Sequence, residues 1–172
     1  MIPRIKRILF ATDLSDSSAY VFRYAINSAK KHDAGIIILH VLEPLAATTK
    51  TLAGSYLFGA QEKQIWEEKV AYVKDRIQKQ LETFCEQELK DDPESAKRVD
   101  SIELCEGFPA EMILRKADDL NCDEIVMGTH GKGFIRNTFL GSTSKRVLRR
   151  TRKPVLIIPL PKEEKDISST NG

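Results

Sequence analysis

Asp123-Glu124-Ile125-Val126-Met127-Gly128-Thr129-His130-Gly131-Lys132-Gly133 runs on through Phe134-Ile135-Arg136-Asn137-Thr138-Phe139-Leu140 into Gly141-Ser142-Thr143-Ser144. The apolar run 123–127 is short and closed by glycine, which reads as a buried strand. Gly141 then opens a helix extending to about Arg150. Strand, glycine-rich loop and helix together make half of an α/β unit. A helix N-terminus offers backbone N–H groups without intrahelical partners and the positive end of the macrodipole. Glycine lets an anion approach that backbone, and the hydroxyls of residues 142–144 add donors, so the stretch has the chemistry of an anion cradle.

The pattern repeats along the chain. Ile5–Ala11 predicts a first strand and Ser15-Asp16-Ser17-Ser18 the N-cap of a helix, with Phe22, Ala25, Ile26 and Ala29 on one face. Ala34-Gly35 ends that helix. The β-branched run Ile36–Val41 predicts a strand buried on both faces. Residues 43–60 have no period and read as a long loop. Trp66, Val70, Val73, Ile77, Leu81 and Phe84 predict a helix over 61–89, stopped at Asp91-Asp92-Pro93. Val99–Cys105 alternates as a third strand. Pro109 suits a first helical position, with Met112, Ile113, Ala117 and Leu120 facing inward. Pro154–Pro159 holds the last strand, and 162–172 is a polar tail. Five strands alternating with four helices predict one α/β domain over 1–161, a parallel sheet with helices on both faces. Ligands of such sheets lie beyond the carboxyl ends of the strands.

The 172 residues carry a net charge of +2, which gives no electrostatic ground for a nucleic-acid partner. No apolar run is long enough to span a bilayer, so no membrane partner and a cytoplasmic location are expected. Cys85, Cys105 and Cys122 form no Cys-x-x-Cys pair and read as isolated thiols. His40, inside a strand, reads as a satisfied core histidine and His32 as exposed. No nucleophile, base and orienting group stand at a recognisable spacing. The cations at 145, 146, 149, 150, 152 and 153 read as a solvated helix end, while Lys132 and Arg136 are better placed for phosphate.

The spacing Gly128-x2-Gly131-x9-Gly141-Ser142, after a strand ending in Met127-Gly128, resembles the ATP-binding motif of the universal stress protein family. It is neither a Walker A loop nor a dinucleotide fingerprint, since Arg136 stands where the latter needs glycine. Ala11-Thr12-Asp13-Leu14-Ser15 resembles the family's opening motif. The resemblance implies strand order 3-2-1-4-5, a homodimer through the last strand, and a regulator in the stress response with a protein partner that the sequence does not name. It implies ATP, or AMP or ADP, bound by Ala11, Thr12, Asp13, Val41, Met127, Gly128, His130, Gly131, Gly141, Ser142, Thr143 and Ser144. Magnesium or manganese would come with the nucleotide at Asp13. By position alone Asp13 is equally a partner for the following helix dipole. Two other classes stay open: a slow ATPase or phosphotransferase, and a dimeric interaction module without ligand.

Overall fold

The computed structural model describes residues 2–43, 60–130 and 139–160, with the backbone only at 60–66 and 69. Gly131, most of the 43–60 loop, the Trp66 side chain and the tail from 161 lie outside the described residues. The chain runs β1 (Arg7–Thr12), α1 (Ser18–His32), β2 (Gly35–Leu42), α2 (Ala60–Leu89), α3 (Pro93–Ala96), β3 (Val99–Glu106), α4 (Pro109–Asp119), β4 (Glu124–Gly128), α5 (Ser142–Arg150) and β5 (Val155–Ile158).

The five strands form one parallel sheet in the order β3-β2-β1-β4-β5. Side chains alternate across a strand, so β1 feeds two cores. Ile8 and Phe10 join Phe22, Ala25 and Ala29 of α1 and Leu81 of α2. Leu9, with Ile37 and Leu39 of β2, packs against Ile113 and Ala117 of α4 and Val147 of α5. Burial on both faces accounts for the apolar runs Ile8–Ala11 of β1, Ile36–Leu39 of β2 and Ile125–Met127 of β4. No helix among the described residues is long and apolar enough to cross a membrane.

Several boundaries differ from the sequence reading. β1 starts at Arg7, because the backbone N–H groups of Lys6 and Arg7 donate to Asp123 Oδ2 at 2.8 and 3.0 Å before the ladder begins. α1 ends at His32, ahead of the expected Ala34-Gly35 break, and is closed by Asp33, whose φ of 51° places it in the left-handed region. Ser17 is its N-cap, and its side chain makes no capping hydrogen bond. Met112 lies over Gly107, and Leu114 takes the place expected for it in the second core.

A one-turn helix, α3, follows α2 where only a stop was expected. Asp92 caps it, accepting from Ser95 N–H at 3.1 Å and Ser95 Oγ at 2.8 Å, and pairs with Lys30. The hydrogen bonds from Lys30 and Ser95 hold the Asp92 carboxyl at about 2, below the usual 3.8. A depressed acid stabilises the fold above its unfolded value, and that contribution disappears as pH falls through the folded one. The stability advantage over Asp92→Asn, read from urea melts, is therefore expected to be constant above about pH 5 and to close between roughly pH 4 and 2.

The three cysteines are free. Burial pushes the Cys85 and Cys122 thiols up to about 11, and that of Cys105 upward as well. Since the thiolate is the reactive form, a thiol reagent at neutral pH is expected to label the native protein slowly, Cys122 slowest of all. The unfolded chain should release three equivalents at once. Fast native labelling would contradict the burial.

Candidate functional site

The strand order reverses at the β1–β4 pair: α1, which follows β1, packs on one face of the sheet and α5, which follows β4, on the other, the arrangement at which α/β sheets take ligands. Phe10 pairs with Val126, which brings Thr12 level with Gly128. The two strand ends are then about 5 Å apart, the spacing of neighbouring strands.

On the β1 side, Thr12 is buried and Asp13 half-buried. Thr12 Oγ1 donates to Ser18 Oγ at 2.8 Å and accepts from Leu14 N–H at 3.1 Å. Asp13 Oδ1 accepts from Ser15 N–H at 3.1 Å and lies 3.5 Å from Ser18 Oγ. Leu14 holds φ at 57°, a conformation costing roughly 1 kcal/mol or more for a residue with Cβ. This strained turn places the Asp13 carboxylate at the entrance of α1, where the helix dipole favours negative charge. His40, 8% exposed, reaches across from β2 and hydrogen-bonds the Thr12 carbonyl through Nδ1 at 2.8 Å. It is the satisfied core histidine expected, and it braces the end of β1.

On the β4 side, Thr129 N–H donates to the Ile158 carbonyl at 3.0 Å and Gly141 N–H to the Thr129 carbonyl at 2.8 Å. The start of α5 is thereby sewn to the end of β4. Ser144, almost fully buried, donates from Oγ toward the Gly128 and Thr129 carbonyls at 3.0 and 3.2 Å. Its hydroxyl is occupied by the chain's own backbone, so what Ser144 offers a ligand is its N–H. Ser142 is exposed and Thr143 half-buried. Gly141 caps α5 without a side-chain hydrogen bond, leaving the first N–H groups of the helix directed past the strand ends.

Both described glycines of the motif serve close approach within the chain. A Cβ on Gly141 would stand 3.3 Å from the Thr129 carbonyl oxygen, and one on Gly128 3.3 Å from the His130 carbonyl oxygen and from Val21. His130 Nδ1 lies 3.0 Å from Thr129 Oγ1.

The site residues expected from the sequence therefore gather along the carboxyl edge of the sheet: Ala11, Thr12 and Asp13 at β1, Val41 at β2, Met127, Gly128 and His130 at β4, and Gly141–Ser144 at α5. Met127 and Val41 contribute side chains to the second core, so only their backbone faces this edge. Two residues join the site unannounced. Ser18 bridges Thr12 and Asp13, and its place in the hydroxyl run 15–18 was the available signal. Thr129 was hidden inside the glycine loop. Among the described residues no group of three or more His, Cys, Asp or Glu is placed to hold a metal.

The model of the universal stress protein family matches residues 4–159. Universal stress protein MJ0531 of Methanocaldococcus jannaschii is 31% identical over 159 residues, spanning 92% of this chain and 85% of its own. Among solved structures, MJ0577 of the same organism superposes with a TM-score of 0.67 at 23% identity, covering 93% of this chain and 99% of that one. A universal stress protein in complex with cAMP gives 0.59 at 22%, covering 91% and 98%. One from Archaeoglobus fulgidus in complex with dAMP gives 0.52 at 20%, covering 91% and 98%.

Proposed function

The chain belongs to the universal stress protein family, and from that premise we propose that it binds an adenine nucleotide, ATP above all, between the ends of β1 and β4 and regulates a stress response in a nucleotide-dependent way. The carrying observation is the union of two fixed structures at one edge: a carboxylate held on a strained turn after β1, and the N-terminus of α5 sewn to the end of β4. The two related proteins bound to cAMP and dAMP share an adenosine-type base and one phosphate. That common part suits the backbone of Val41, Met127 and Gly128 for the base and sugar, and the α5 N–H groups for phosphate.

Asp13 is a single carboxylate, and magnesium is commonly bound by one or two carboxylates together with phosphate oxygens. The residues thus fit a magnesium or manganese ion that arrives with the triphosphate, and such an ion would neutralise phosphate charge. The chain's own part is to fix Asp13 through Ser15 and Ser18 and to aim the helix dipole at the anion.

A second reading draws on a specific observation. Gly128 and Gly141 are each demanded by the chain's own packing at 3.3 Å, so they would also persist in an interaction module without ligand. Calorimetry separates the two. The protein is unfolded and refolded to strip nucleotide, then titrated with ATP, ADP and AMP with and without magnesium. Saturable binding with a magnesium-dependent gain for ATP that is lost in Asp13→Ala supports the proposal. No heat with any of the three leaves the interaction module. Homodimerisation through β5, the edge strand bearing half-buried Leu156, is the companion proposal, read by sedimentation of the same stripped sample.

A further inference from the structure

We propose that the outer face of α5 docks on an anionic bilayer surface, with its cations on the lipid headgroups and Leu148 and Phe139 dipping below them. Charge is unevenly distributed along the chain. Between Ile125 and Lys162 the sequence carries nine Lys and Arg and no Asp or Glu. The whole chain is only +2, so the rest of it is net acidic. The fold turns this segment into a pole. Ser144 and Val147 are buried against the sheet, which leaves Lys145, Arg146 and Arg149 on the exposed side of α5, and Arg152 is exposed just past its end. The two carboxylates that α4 brings up are already engaged: Glu111 lies 3.5 Å from Arg150 and Asp118 3.3 Å from Lys153. Among the described residues the side chains of Lys145, Arg146, Arg149 and Arg152 make no ion pair or hydrogen bond.

The needs of the helix do not explain these cations. The macrodipole favours positive charge in the last turn, which covers Arg149 and Arg150. Lys145 and Arg146 sit a turn earlier, and Arg152 stands beyond the helix. Lys145 with Arg149, and Arg146 with Arg150, are like-charged pairs four residues apart, which oppose the helix. An anionic surface relieves that repulsion, and the acidic remainder of the molecule turns the α5 side toward it. Apolar exposure then selects the kind of polyanion. Leu148 is 40% exposed, one turn from Lys145, and Phe139 is 81% exposed two residues ahead of the Gly141 cap. A phosphodiester backbone gives an exposed leucine no apolar partner. A bilayer takes cations at its headgroups and apolar side chains at the acyl boundary. Lying on a membrane needs no spanning helix, and none is present among the described residues.

The test is sedimentation of the full chain, stripped of nucleotide, with vesicles of phosphatidylcholine alone and of phosphatidylcholine mixed equally with phosphatidylglycerol. Binding is expected to the mixed vesicles only, falling steeply as salt is raised. Arg146→Gln with Arg149→Gln should weaken it by roughly thirtyfold, the scale of losing two cations near a charged surface. Leu148→Ser with Phe139→Ser, which leaves the charge intact, should weaken it by at least about tenfold. The arginine pair should melt no lower than wild type, since it removes like-charge pairs, and should keep any ATP affinity seen in calorimetry. Vesicle and ATP binding are read separately, so either can fail alone. No binding to mixed vesicles, equal binding to pure phosphatidylcholine, or undiminished binding by either double variant would overturn the proposal. So would a lower melting temperature or a loss of ATP affinity in the arginine variant, which would assign the cations to the fold or to the nucleotide. Binding of a duplex oligonucleotide with none to vesicles would give the face to nucleic acid instead.

Discussion

Gly141→Val is expected to lower nucleotide affinity by on the order of 100-fold, the scale of losing two hydrogen bonds to a charged group, while the secondary structure stays intact. The backbone itself accepts the change: φ −66° and ψ 165° at Gly141 are ordinary extended values. The obstacle is space. The new Cβ would lie 3.3 Å from the Thr129 carbonyl oxygen, 3.6 Å from His130 Cα and 4.0 Å from its Cδ2. The residue cannot retreat, because Gly141 N–H is already bonded to that same carbonyl at 2.8 Å. Two further methyl groups must push Thr129 and His130 away or slide α5 off the end of β4. Either movement displaces the N–H groups proposed to hold phosphate. Overpacking of this kind costs roughly 1–3 kcal/mol, so the melting temperature should fall by a few degrees without loss of the fold. Gly141→Ala, whose single carbon needs a shift of only tenths of an ångström, should fall between wild type and valine. A valine variant that binds ATP with unchanged affinity in calorimetry would remove the α5 N-terminus from the site.

The contrast between Gly141 and Ser144 marks how far residue types carry. The apolar runs Ile8–Ala11, Ile36–Leu39 and Ile125–Met127 could be read directly, because burial on both faces leaves few polar positions to confuse the period. The alternation with helices followed, and with it the parallel sheet. Strand order came from the family resemblance, since no local signal encodes which strand neighbours which. At the site, the glycine spacing located the end of β4 and the start of α5. The direction of each donor was not legible: a serine at a helix start suggests a hydroxyl for phosphate, yet Ser144 spends its hydroxyl on Gly128 and Thr129. A side chain's target depends on which carbonyls tertiary packing brings near it. The helix at Pro93–Ala96 was missed for a related reason, since a proline after a long helix signals a stop and Asp92 caps a new turn only because Ser95 folds back onto it.

Phe22→Ala is expected to be among the most damaging single changes in the core. Phe22 is fully buried, with its ring 5.2 Å from that of Phe10 and 5.3 Å from that of Phe84, both tilted. One side chain therefore joins α1 to β1 and to α2. Truncating a buried phenylalanine costs about 3–5 kcal/mol through lost transfer energy and the cavity left behind, and aromatic pairing adds to that. Against a typical total of roughly 5–15 kcal/mol, this is about a fifth or more of the stability. The melting temperature should fall by roughly 6–20 °C, at roughly 2–4 °C per kcal/mol for a chain of this size. Phe22→Leu, which keeps most of the volume, should cost about half as much or less. Phe139→Ala, at a position 81% exposed, should leave the melting temperature unchanged. The consequence extends to the site because α1 carries Ser18, which tethers Thr12 and Asp13, and Val21, which lies against Gly128. A helix loosened at Phe22 loses its hold on both strand ends. The thermal shift produced by saturating ATP should accordingly be smaller in Phe22→Ala than in wild type. A loss of only a few degrees, with the ATP shift intact, would mean that the three rings do not bind α1 to the sheet.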